Sequence, residues 1–178
     1  MEYHAQAISQ ICKRQKISLT KQWLYVSVAE QEMYFYVDHV LATKYAISTA
    51  KKGISQIKNS KGTPLGLHVI AEKMGLGAPN GTVFIARKNT KKLFTEYVDW
   101  CNRAYVITRI LRLRGLQPGF NLGGKVDTYD RYIYIHGVID EDNIGRPQTG
   151  GCIGMLNADI MELFERIPVG TMILISEK

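Results

Sequence analysis

Cysteine is scarce in this chain of 178 residues, and the three present, Cys12, Cys101 and Cys152, are odd in number with no Cys-x-x-Cys spacing. That argues against a disulfide framework and against a zinc ribbon, and it makes a reducing compartment the simpler home. No apolar run approaches the roughly 18 residues of a membrane-spanning helix. The opening "MEYHAQAISQICKRQK" has no apolar stretch of secretory length, because Ser9, Gln10, Cys12 and Lys13 interrupt it. If Met1 is the natural start, a cytoplasmic location is expected; a leader removed upstream would make it periplasmic. Internal repeats and low-complexity segments are also missing. Acidic residues are the minority sign, 16 Asp and Glu against 23 Lys and Arg. The resulting charge of +7 keeps the chain soluble and predisposes its surface toward polyanions or carboxylate-bearing ligands.

What is present is ordinary globular material, 46% apolar and 22% charged, in a length that suits one well-buried core. Residues 3–16 place Ala5, Ile8, Ile11 and Cys12 at helical spacing, with Lys13, Arg14 and Lys16 in the last turn where cations suit the helix dipole. This predicts an N-terminal helical extension over residues 1–21, packed on a domain over 22–178. It lacks the broad aromatic face of a membrane-surface helix.

The runs "WLYVSV", "EMYFYVD", "VLATKYAIST", "GLHVIAEKMG", "GTVFIARK", "RYIYIHG" and "TMILIS" are rich in β-branched and aromatic residues and are separated by turn or charged residues. They predict a mainly β fold with a few helices, of the α+β class. "RAYVITRILRLR", residues 103–114, alternates as a strand and also suits a helix; we read it as a strand. "NADIMELFERI" reads as a helix with Asn157 at its N-cap, Asp159 and Glu162 early, and Pro168 as its stop.

Chemistry concentrates between Tyr132 and Asn157. The strand "RYIYIHG" turns Tyr132, Tyr134 and His136 to one face and Ile133 and Ile135 to the other. Sixteen positions on, Cys152 ends "TGGC", where two glycines leave the sulfur uncrowded and allow positive φ. Backbone N–H groups in such a turn can converge on an oxyanion. A strand histidine alone is more often structural, and a cysteine alone is more often inert and buried. Together they have the parts of a thiol nucleophile and its base. Two other stretches are set aside. "GLGAPNG" has its third glycine one position late for a dinucleotide-binding turn, and "DEDNIG" has Ile144 and Gly151 where a calcium loop needs ligands. No cofactor and no metal is expected, since no spacing supports zinc on Cys152 and His136.

The segment resembles the active-site region of the L,D-transpeptidase catalytic domain, or YkuD domain, in which a strand ending in His-Gly is followed by Ser/Thr-x-Gly-Cys. Here those elements are His136-Gly137 and Thr149-Gly150-Gly151-Cys152. The likeness extends from "WLYVSVAEQEMYFYVD" to "IGMLNADIMELFERIPVGTMILI", roughly residues 22–177. It implies an L,D-transpeptidase-like β-sandwich with a helix after the cysteine. Where many members read Ser-His-Gly-Cys-Ile-Arg-Met, this chain reads Thr-Gly-Gly-Cys-Ile-Gly-Met, so Gly154 replaces an arginine that would help to hold a substrate carboxylate. Arg109, Arg131 and Arg146 are the candidates to supply that charge.

The resemblance further implies that His136 deprotonates Cys152 and that the thiolate attacks the diamino acid carbonyl of a peptidoglycan stem tetrapeptide, releasing terminal D-Ala. Gly137 would orient the imidazole through its carbonyl, and Gly151, Thr149 and Tyr134 would line the oxyanion and substrate site. An amine acceptor makes the enzyme a cross-linking L,D-transpeptidase, and water makes it an L,D-carboxypeptidase. The expected location favours hydrolysis of soluble muropeptides in wall recycling. Carbapenem-type inhibitors are expected to acylate Cys152. The competing reading is a non-catalytic polyanion binder using "RKNTKK" and "RILRLR"; no recognised nucleic-acid motif accompanies these runs, and no nucleic-acid partner is expected. The oligomeric state is not legible in the sequence.

Overall fold

The computed structural model describes residues 2–97 and 105–178, so Cys101 and the first two positions of the 103–114 segment lie outside the described residues. The chain opens with α1 (Glu2–Gln15), followed by β1 (Gln22–Ser27), β2 (Glu32–Val37), β3 (Val40–Ser48) and β4 (Gly66–Met74). The hairpin of β5 (Thr82–Ile85) and β6 (Lys88–Leu93) precedes β7 (Val106–Gly115) and β8 (Tyr134–Gly137). Then come β9 (Ile153–Met155), α2 (Asn157–Arg166) and β10 (Met172–Ser176). The fold is mainly β with helices, the α+β class expected from its alternating runs.

Pairing runs β4-β10-β1-β2-β3-β9-β8-β7, and β7 returns to pair with β4. The layers of the expected sandwich are thereby joined into one closed ring, and the β5–β6 hairpin hangs from β7. Closure removes the edges that the ring strands would otherwise leave to aggregation, and β6 of the hairpin ends the sheet. Alternation sorts the side chains. Leu24, Val26, Met33, Phe35, Leu111, Leu113, Ile135, Ile153 and Ile173 turn inward and meet Ile160, Leu163 and Phe164 of α2. Each such side chain contributes roughly 1.5–3 kcal/mol on burial. On the outer face Trp23, Tyr25, Tyr36, Leu67 and Leu174 are covered by Ile8 and Cys12 of α1, and Trp23 stacks on Tyr36 at 4.0 Å. The apolar stripe of α1 therefore packs on the sheet, and Lys16 in the left-handed conformation (φ 56°) closes the helix, with the Ile17 amide donating to Cys12 O.

The helix α2 follows the cysteine strand through a single residue, and its ends are satisfied from outside. Leu156, not Asn157, occupies the cap position, and the Asn157 amide donates to the Glu141 carboxylate at 2.5 Å. A carboxylate at this end suits both the free amides and the helix dipole. At the other end Lys73 Nζ donates to Phe164 O and Ile167 O. Asn157, read from the sequence as the cap, is thus the first helical residue, and its side chain is free for another task. Among the described residues no helix is long and apolar enough to cross a membrane.

Candidate active site

The register between β8 and β9 is parallel, with Ile135 opposite Ile153 and His136 opposite Gly154. Cys152 stands one residue before this pairing begins, beside Tyr134, whose amide donates to Cys152 Sγ at 3.4 Å. Side chains two apart along paired strands share a face. His136 and Cys152 therefore project from the same face, offset by two residues, roughly 6–7 Å at the rise of a strand. Ile135 and Ile153 take the opposite face, into the core.

His136 is buried, and its Nδ1 lies 2.8 Å from Gly137 O. A carbonyl can only accept, so Nδ1 carries the proton and Nε2 is left as an acceptor. Burial lowers the imidazole pKa below 6.5, partly opposed by the bond to Gly137. The thiol of Cys152 donates to Tyr132 O at 3.6 Å. Burial pushes it up to about 11, against the Tyr134 amide and the nearby Arg131 charge, which both lower it. Both shifts favour the neutral thiol and the neutral imidazole, and no hydrogen bond joins the two side chains.

The turn before Cys152 is held by its own hydroxyl. Thr149 Oγ1 donates to Cys152 O at 2.6 Å and accepts from the Gly151 amide at 3.3 Å. Gly151 has φ 124°, and a Cβ there would stand 3.1 Å from Gly62 O and 3.2 Å from Ile133, so only glycine fits. Thr63 Oγ1 donates to Gly151 O at 3.2 Å. Gly150 by contrast is exposed and has open space around it.

The three arginines expected to replace the missing charge have different surroundings. Arg131 donates to Ser55 O, Gln56 O, Ser60 Oγ and Gly62 O at 2.7–3.4 Å, clamping the segment that abuts Gly151. Arg109 is not brought to the nucleophile: its guanidinium donates to Ala78 O and Thr108 O and lies over Phe164 of α2. The cause is a register shift between Ile107 and Ile110, where buried Thr108 takes φ 70°. Beyond it, Arg109 shares the core-facing parity of Leu111 and Leu113. Arg146 is exposed in the loop before Thr149.

Sequence reasoning passed over two arginines that do gather at the site face. Arg112 pairs across the sheet with Tyr134, and Arg87, at the tip of the β5–β6 hairpin, donates to Tyr134 Oη at 3.3 Å. Their only signal was membership of the charge runs "RKNTKK" and "RILRLR". At Gly154 a Cβ would lie 2.6 Å from Val138 Cγ1, so the space where an arginine would start is filled by valine.

A β ring with a cysteine and a carbonyl-held histidine on neighbouring parallel strands defines the class, a protein with the parts of a thiol acyl-transfer centre. The chain belongs to the L,D-transpeptidase catalytic domain family (YkuD), matched over residues 21–175. It is 41% identical over 71 residues to YqjB of Bacillus subtilis (strain 168), whose name places it among the L,D-transpeptidases, covering 36% of this chain and 40% of that protein. It is 49% identical over 95 residues to a Fuscovulum blasticum protein likewise named, from the ATP synthase subunits region, covering 47% of this chain and 49% of that one. These matches span less than half of each relative. L,D-transpeptidase 3 from Mycobacterium tuberculosis, solved with a faropenem-derived adduct, superimposes with a TM-score of 0.55 at 12% identity over 88% of this chain and 58% of that one. That likeness is one of fold.

Proposed function

We propose that the protein is a cysteine-dependent acyl-transfer enzyme acting on peptidoglycan stem tetrapeptides. The observation that carries this reading is the shared face of His136 and Cys152, with the imidazole tautomer set by Gly137 O at 2.8 Å. Proton transfer requires Sγ to leave Tyr132 O and come within hydrogen-bond reach of His136 Nε2. The imidazole accepts the thiol proton as Sγ attacks the diamino acid carbonyl carbon. The carbonyl π electrons move to oxygen, and amide donors of the turn at Cys152 stabilise the oxyanion, each contributing about 3 kcal/mol; the Gly151 amide serves there only if it leaves Thr149 Oγ1. Collapse breaks the C–N bond, the imidazolium returns its proton to the departing amine, and D-Ala leaves a thioester on Cys152.

Water or an amine then resolves the thioester. Hydrolysis yields a tripeptide, as an L,D-carboxypeptidase would, and attack by a second stem yields a cross-link; the acylation half is common to both. Incubating the protein with a disaccharide tetrapeptide and analysing products by mass spectrometry tests the reading and assigns the acceptor. Tripeptide alone means hydrolysis, and a cross-linked dimer means transfer. By analogy with the faropenem adduct of the Mycobacterium tuberculosis protein, a carbapenem is expected to add its mass to wild type and not to Cys152→Ala. Absence of product together with an unmodified Cys152 would remove the enzymatic reading.

A further inference from the structure

The face that carries Cys152 also carries three arginines stacked alternately with two tyrosines. Tyr129 lies between Arg114 and Arg112, with guanidinium-to-ring distances of 4.6 and 3.3 Å. Tyr132 lies between Arg112 and Arg87, at 5.2 and 4.9 Å. Tyr134 spans from the series to the nucleophile: its hydroxyl accepts from Arg87, and its backbone amide, at the other end of the residue, donates to Cys152 Sγ, whose thiol donates to Tyr132 O. Glu72 is the one carboxylate ion-paired to this series among the described residues, at 3.4 Å from Arg112. Asp127, whose carboxyl Arg114 helps to hold in its charged form, is near the far end of the series, so three guanidinium groups meet two carboxylates, neither of them paired with Arg87.

The other cations near the site are occupied or missing. Arg131 has its donors on four oxygens of the 55–62 segment, and Gly154 has no side chain. Arg112 is only 7% exposed, and its Nε is buried without an acceptor. Arg87 is half-exposed and among the described residues its guanidinium donates a single hydrogen bond, to Tyr134 Oη, from the two-residue hairpin turn where Ala86 and Arg87 have φ 45° and 70°. A guanidinium steadied on an aromatic face keeps its edge available for two parallel bonds to a carboxylate. In a tetrapeptide donor the terminal carboxylate lies one residue past the scissile carbonyl, about 3.8 Å of backbone.

We propose that Arg87, steadied by Tyr132 and Tyr134 and backed by Arg112, binds the terminal carboxylate of the acyl donor. The inference rests on the acyl-transfer reading above. It assigns recognition of the free chain end to the hairpin tip, in place of a cation on the strand after the cysteine.

The test compares two donors, a stem tetrapeptide with a free terminal carboxylate and the same peptide with a terminal amide, on wild type, Arg87→Gln and Arg87→Lys. Release of the terminal residue is followed to give kcat and KM. Wild type is expected to prefer the acid by about 10-fold or more in kcat/KM, as befits a charge-assisted two-pronged bond. Arg87→Gln is expected to abolish that preference by raising KM for the acid alone, and Arg87→Lys to keep part of it. Calorimetric binding of both peptides to Cys152→Ala is expected to show the same preference without turnover. Equal use of acid and amide by wild type would overturn the subsite while leaving acyl transfer standing. So would an Arg87→Gln variant that retains the preference. Release from neither donor, with no adduct on Cys152, would overturn acyl transfer itself and the subsite with it.

Discussion

The side chain of Asn157 occupies the space where a Cβ on Gly137 would stand. Asn157 Oδ1 accepts from Thr108 Oγ1 at 2.5 Å, and its Nδ2 donates to Val138 O at 2.8 Å. The peptide between Gly137 and Val138 is held on both sides, because the Val138 amide donates to Met155 O at 3.2 Å while Gly137 O faces the imidazole of His136. Thr108, buried at φ 70°, also receives the Gly81 amide at the foot of the β5–β6 hairpin. One polar network therefore connects the hairpin, the start of α2 and the carbonyl that orients the base.

Replacing Asn157 by alanine leaves Val138 O without this partner in a buried setting, while the Thr108 hydroxyl can still donate to Asn80 Oδ1 at 3.1 Å. A loss of about 2 kcal/mol is expected, since an unsatisfied buried group costs roughly 1–3 kcal/mol. Urea unfolding measures it. If the network also positions His136, carbapenem acylation at a temperature where the variant is fully folded slows as well; an unchanged rate would confine Asn157 to stability.

Acylation should require neutral His136. Because burial lowers its pKa, the rate of carbapenem adduct formation is expected to hold level at neutral pH and to fall only below 6.5. The thiol, pushed up to about 11, should alkylate slowly with iodoacetamide at pH 7 and faster as pH rises. Rapid alkylation at pH 7, constant down to pH 5, would instead reveal a thiolate–imidazolium pair.

His68 makes stability fall in acid. It is fully buried between Gly66 O and Thr128 Oγ1, and burial lowers its pKa from 6.5 to about 4. Between those values the unfolded chain binds a proton that the folded chain refuses, so stability is complete above pH 6.5 and declines as pH drops toward 4. At 1.36 kcal/mol per unit the loss is roughly 3 kcal/mol. Urea unfolding at pH 7.5 and 4.5 should show the loss, and His68→Gln should flatten the slope; an equal slope in the variant would assign it to other groups.

Gly154 and Val138 should couple. Gly154→Ala puts a methyl 2.6 Å from Val138 Cγ1, an overpacking expected to cost about 1–3 kcal/mol. Val138→Ala opens that space, so the double variant should be more stable than the sum of the single changes predicts. Additive losses would mean that the strand, not valine, refuses the side chain.

The period-two runs were enough to read a mainly β fold, because alternation reports which side of a strand is buried wherever a neighbour covers it; the closing pair of β4 and β7 was not legible in them. "RYIYIHG" kept its reading only from Tyr134 onward, where β8 begins: Ile135 entered the core and His136 took the other face with Cys152, whereas Tyr132 lies in a turn at φ 58°. Asn157 was misplaced by a single position, since Leu156 adopts the extended cap conformation. Arg109 was expected near the nucleophile and lies over Phe164, because the shift at Thr108 changes which arginines of "RILRLR" face the core.

Local chemistry in the chain thus determined the strands, the α1 stripe and the pairing of a histidine with a cysteine behind two glycines. These depend on near neighbours, whose effects travel only a few residues. Tertiary structure alone decided which arginines gather at Tyr134 and Tyr132, that Val138 fills the space at Gly154, and that Asn157 braces Gly137. Those outcomes depend on register between strands distant in sequence, where a shift at one bulge turns a guanidinium from the site to the core.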